Sequence, residues 1–142
     1  MSIPVPLTEL AGTMARFGSV PYLLTVGPDA TPHAASVTVE WSPPEAPLKA
    51  PGHPEAPLKA PGHPETPLKA PDDVGFLIVA TGRSTAANIR TNEALALLWP
   101  PSSPGDYSLI VDGTGSIREE GPHLVVVIKP TSAVLHVTAR KP

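Results

Sequence analysis

The apolar positions of this chain fall into short runs, most with a period of two, separated by turn chemistry. The first run is different. Leu7, Leu10, Met14 and Phe17 recur at spacings of three and four, with Pro6 ahead of them and Gly18 behind. That pattern predicts a short amphipathic helix laying one face on a core. Val20 to Val26 predicts a strand, and Gly27-Pro28-Asp29-Ala30-Thr31-Pro32 a turn. His33 to Trp41 predicts a second strand. Ala35, Val37, Val39 and Trp41 face one way along it; Ser36, Thr38 and Glu40 face the other. The two strands read as a hairpin.

Further along, Val74 to Ala80 is a continuous apolar run, expected to be a strand buried on both faces. Ser84 to Thr91 predicts a brief helix with Asn92 as a left-handed stop. Ala94 to Trp99 predicts a strand ended by Pro100-Pro101. Tyr107 to Arg118 predicts a long strand, in which Gly113 and Gly115 call for a bulge or bend. Leu124 to Ile128 and Ala133 to Thr138 complete the set, joined through Lys129-Pro130. The connections are too short for parallel crossovers, which need about a dozen residues. The expected fold is mainly β: six or seven antiparallel strands, a short N-terminal helix and one small helix between strands. Closure into a barrel would remove the edges that such apolar strands expose.

Periodicity is lost between residues 43 and 72. Residues 45–54 read Glu-Ala-Pro-Leu-Lys-Ala-Pro-Gly-His-Pro, and 55–64 repeat this unchanged. A third copy begins at Glu65, with Thr66 for alanine, and gives way to Asp72-Asp73. A ten-residue unit with three prolines cannot form a packable element, because proline fixes φ and lacks an N–H donor. The expected state is extended, polyproline-like and mobile. The near-identical copies point to a tandem duplication. His53 and His63 share a phase, but two histidines without a fixed third ligand make a poor metal site. A docking ligand for an aromatic groove is a second reading; a tolerated surface insertion is the plainest. The chain is therefore expected to be a single domain, 1–142, with 43–72 as an insertion loop.

Composition narrows the function classes. There are 142 residues, 21 of them proline, and ten of those prolines lie between Pro43 and Pro71. The absence of cysteine removes disulfides, thiolate metal sites and cysteine nucleophiles. A net charge of −3 leaves no electrostatic footprint for nucleic acid. No apolar run approaches the roughly 20 residues of a membrane span, and no basic segment precedes an apolar core as in a signal peptide. The expected location is the cytoplasm, with no nucleic-acid or membrane partner.

Candidate chemistry concentrates at Thr81-Gly82-Arg83-Ser84-Thr85-Ala86-Ala87-Asn88, where a buried strand runs into a helix. A helix start offers free N–H groups and a positive dipole end. Gly82 lets the backbone approach a ligand closely. Ser84 and Thr85 supply hydroxyls, and Arg83 a planar cation suited to phosphate oxygens. The plain alternative makes Ser84 or Thr85 an ordinary helix cap and Arg83 a solvated side chain. His33, His123 and His136 are scattered and read as surface or strand residues; Trp41 and Trp99 read as packing. No triad, carboxylate pair or metal cluster is visible, so redox chemistry would have to come from a bound cofactor.

The ordered series of parts resembles the pyridoxamine 5'-phosphate oxidase-like family, the FMN-binding split barrels. The resemblance is carried by the N-terminal helix, Leu23-Leu24-Thr25-Val26, His33 to Trp41, Phe76 to Ala80, Thr81 to Arg90, Ala96-Leu97-Leu98-Trp99-Pro100 and Tyr107 to Thr114. It implies a split β-barrel and a homodimer with two flavin sites at the subunit interface. It implies that Thr81, Arg83, Ser84 and Thr85 hold the flavin phosphate, with Asn88 in the same segment, and that the ring lies along Ala35, Ser36 and Val37. The family often has a lysine two residues after the serine; here that position is Ala86. The C-terminal helix and substrate-binding tail of the true oxidases are missing from the pattern. The implied function is a flavin (FMN)-binding oxidoreductase-like protein that does not act on pyridoxamine phosphate itself. The alternative is a non-enzymatic dimeric binding module with a degenerate site, or one for deazaflavin or haem.

Overall fold

The computed structural model describes residues 2–44 and 74–137. Its elements, in chain order, are β1 (Ser2–Pro4), a 3-10 turn (Leu7–Glu9), α1 (Leu10–Phe17), β2 (Tyr22–Val26), β3 (Pro32–Ser36), β4 (Val39–Ser42), β5 (Phe76–Thr81), α2 (Arg83–Thr91), β6 (Ala94–Trp99), β7 (Ser108–Glu120) and β8 (His123–His136). The strands form one antiparallel sheet in the order β3-β2-β6-β7-β8-β5-β4, with β1 on β8.

β7 and β8 form the spine. They pair along their length, from Ser108↔His136 to Glu120↔His123, and the register shifts between Asp112 and Gly113. On its other side β8 pairs β5 through 124–128 and β1 through 134–136. Pro130, which cannot donate to a ladder, sits at the junction of these stretches, opposite Gly113. A Cβ on Gly113 would come within 2.6 Å of the Lys129 carbonyl oxygen, and one on Gly115 within 2.6 Å of Leu95. The two glycines foreseen as a bend are therefore places where neighbouring atoms come too close for any side chain.

The inward row Leu23–Leu97–Val111–Ala133 runs across four strands at 4% exposure or less. Burial of each leucine is worth about 1.5–3 kcal/mol. Leu10 and Met14 of α1 and Ile89 of α2 join this core. Gly18, at φ 95°, ends α1 and presents its carbonyl to the Trp99 indole N–H at 2.9 Å.

Several expectations change. The single strand His33–Trp41 is two strands, because the backbone changes partner at Val37-Thr38 from β2 to β5. The inward alternation of Ala35, Val37 and Val39 nevertheless continues through the change. The Val37 and Val39 N–H groups bond the Pro21 and Ser19 carbonyls at 3.1 and 2.8 Å across the gap. The ladder is thus open between β3 and β4 rather than closed, and chain continuity bridges the split. The two expected C-terminal strands are one, β8, since the bulge carries it past Pro130. With β1, which the sequence pattern did not reveal, the strands among the described residues number eight. β5 buries Leu77 and Val79 completely but leaves Phe76 and Ile78 half-exposed, so it is buried on one face only. Asn92 ends α2 in an extended conformation (φ −140°, ψ 106°), not a left-handed one.

The proline-rich repeat lies outside the described residues. Its anchors are well defined: Ser42 and Phe76 are register partners in the β4–β5 ladder. Gly75, at φ 126°, packs under the Trp41 ring on the way into β5. The insertion therefore joins two hairpin neighbours, and loop length weighs on stability only by about 0.6 kcal/mol per doubling. Deletion of residues 45–64 should leave the melting temperature unchanged or raise it by a few degrees in a thermal scan. By contrast, Gly113→Ala should lower stability by about 1–3 kcal/mol in denaturant titration, because the obstacle is backbone.

Candidate functional site

β5 delivers the chain to a corner. Thr81 is its last residue, Gly82 is extended (φ −91°, ψ 179°), and α2 starts at Arg83 with no side-chain cap. The first-turn N–H groups of α2 are therefore left for another acceptor. Neither Ser84 nor Thr85 caps the helix, whereas Arg83 is exposed, as the plain reading has it. Both hydroxyls sit in the first turn, Ser84 exposed and Thr85 half-buried.

Opposite this corner stands the tip of the β7–β8 hairpin. Its two-residue loop is Gly121-Pro122, and Gly121 supplies the positive φ (62°) such a loop needs. Thr81 pairs with Leu124, which brings His123 and the hairpin tip to the helix start. Between them opens a cavity of about 580 Å³, lined by Ala80, Thr81, Gly82, Arg83, Arg90, Glu119, Gly121, Pro122, His123 and Leu124. This volume falls within the usual range for small-molecule sites, about 300–1,000 Å³. Arg83 and Arg90 are seven residues apart on one helix, two turns along the same face. Arg90 Nη2 lies 3.5 Å from Glu119 Oε2, with side chains 53% and 73% exposed. The lining thus carries two guanidinium groups, one imidazole and one carboxylate.

The residues singled out from the sequence do not all meet here. Thr81 and Arg83 line the cavity, with Ser84 and Thr85 following in the same turn. Ala35 and Ser36 lie on β3 and Val37 just beyond it; none lines the cavity. Asn88 is buried under α2, where its amide donates to the Thr25 hydroxyl at 3.2 Å and pins the helix to β2. Ala86 is fully buried, so that position faces the core. Sequence reasoning alone misses Arg90 and Glu119, and it reads His123 as a surface or strand residue. The Gly121-Pro122 turn was the available signal for the hairpin tip. Asp29, held below the usual carboxylate range by the hydroxyl and amide of Thr31, belongs to the β2–β3 turn and not to the cavity. Among the described residues no group of acids and histidines could hold a metal ion, and no helix is long and apolar enough to cross a membrane.

The outward face of the sheet is also apolar. Ser36, Tyr22, Leu98, Ile110, Val134 and Pro4 are successive register partners and form one row across six strands. Tyr22 is 44% exposed and Val20, just before it, 59%.

No family model matches the chain. Two uncharacterized proteins, from Mycobacterium bovis and Mycobacterium tuberculosis, are each 39% identical over 67 residues, 45% of this chain. The match spans only 44% of the length of each relative. Among solved structures, a "Putative Pyridoxamine 5'-phosphate oxidase" from Listeria innocua superposes with a TM-score of 0.57 at 17% identity. That superposition covers 91% of this chain and 97% of the other. An F420 reductase superposes with a TM-score of 0.49 at 18% identity. The fold is therefore the split barrel of the pyridoxamine 5'-phosphate oxidase-like proteins.

Asn88→Ala should destabilise the protein by about 1–3 kcal/mol, because it strands the buried Thr25 hydroxyl. A melting curve of the variant checks this.

Proposed function

We propose that this split barrel binds a flavin-class cofactor through its phosphate, with the phosphate in the cavity between the start of α2 and the β7–β8 hairpin tip. The observation that carries this reading is the uncapped helix start at Gly82, set in a cavity with Arg83, Arg90 and His123. Free first-turn N–H groups and two guanidinium forks are the donor set a phosphate monoester requires. Thr81, Ser84 and Thr85 add hydroxyls. FMN is the first choice of cofactor and a deazaflavin the alternative. When bound, the flavin supplies hydride or electron transfer. The chain's own residues hold the phosphate, orient the ring and exclude water, the ring lying along Ala35, Ser36 and Val37.

Those three residues are outside the cavity, and β3 is an edge strand lined by small side chains. A second copy packed on the outward row through Tyr22, Leu98 and Ile110 would cover that edge and complete the ring site. The reading is therefore a homodimeric, flavin-dependent oxidoreductase.

Titration with FMN, followed by visible absorbance and fluorescence quenching, tests this reading. Saturable binding is expected, weakened at least about tenfold by Arg83→Ala; absence of binding to the wild type would sink it. Leu98→Glu should shift a dimer to monomer in light scattering coupled to gel filtration, with the fold retained. A wild type that runs as a monomer at every concentration would remove the dimer.

A further inference from the structure

We propose that Glu119 is a built-in competitor for the anion: it holds Arg90 until a phosphate group takes its place. This rests on the reading of the cavity as a phosphate site. Arg83 and Arg90 project from the same side of α2 into that cavity, and Glu119 is the acid among its lining residues. The contact between Arg90 and Glu119 is a single long one, 3.5 Å, between exposed side chains. Such a pair is weak and opens readily.

The neighbouring pair on the same hairpin is built differently. Glu120 accepts from both Nε (2.8 Å) and Nη2 of Arg118, and neither residue lines the cavity. Glu119 is thus the carboxylate placed to exchange with a ligand, and Glu120 the one already committed. A phosphate monoester carries a charge of about −1.5 to −2 at neutral pH. Two free arginines match that charge, whereas Glu119 leaves the cavity one positive charge short. Affinity would then be set by the exchange of one oxyanion for another at Arg90. Larger charge on the ligand would favour displacement, so monoesters would be retained over diesters.

Calorimetric titration of the full chain with FMN and with inorganic phosphate tests this. Glu119→Gln should tighten FMN binding about two- to fivefold. Glu120→Gln removes the same net charge from the adjacent residue and should change affinity much less. In the Arg90→Gln background the gain from Glu119→Gln should vanish, the signature of a coupled pair. Equal effects of the two glutamate variants, or a gain that survives loss of Arg90, would overturn the competitor role. The phosphate site itself would still stand in that case if Arg83→Gln weakened binding. No binding of either probe to the wild type or to Glu119→Gln would overturn both. Melting temperatures of these exposed-site variants confirm that each is folded.

Discussion

The fold turns on the close approach at Gly113, where β7 passes the Lys129 carbonyl with no room for a side chain. The register shift there lets one β8 strand serve two neighbours, β1 at one end and β5 at the other. Pro130 fits because a proline withdraws one donor from the ladder, and a bulge is where that donor is dispensable. From this crossing follow the position of β5, the corner at Gly82 and the meeting of α2 with the hairpin tip. A second partner change, in the backbone at Val37-Thr38, joins the two ends of the sheet path without a ladder between them.

Much of this was written locally. The helix over Leu10–Phe17, the β2–β3 turn, α2 and the glycine bend all follow from period, turn residues and missing side chains. What escaped was what polarity does not encode. Ala35, Val37 and Val39 keep one inward alternation while the hydrogen-bond partner changes, so one strand was expected where there are two. Pro130 reads as a break, yet the partner strand absorbs it. Ser2-Ile3-Pro4 is too short to show any period. The continuous apolar run Val74–Ala80 reads as burial on both faces, whereas Phe76 and Ile78 belong to a sheet whose outward face is itself apolar.

The candidate site divides in the same way. Its half on the β5–α2 segment is contiguous in sequence and combines glycine, cation and hydroxyls in one turn. Its other half, Glu119 and His123, comes from a hairpin some thirty residues on and is brought there by the Thr81↔Leu124 pairing. Arg90 was within the recognised segment but two helical turns past its interesting end, where only the three-dimensional cavity shows its use. Asn88 illustrates the converse. It lies in the right segment, but its amide is engaged beneath the helix.

β5 spans six residues, and its two ends have unrelated neighbours. The decapeptide array enters at Phe76, while the cavity opens at Thr81, about 17 Å away at the usual strand rise. A change in the length of chain between Ser42 and Phe76 therefore enters the sheet at the end of β5 remote from Gly82, so that the loop and the cavity can be altered independently of each other.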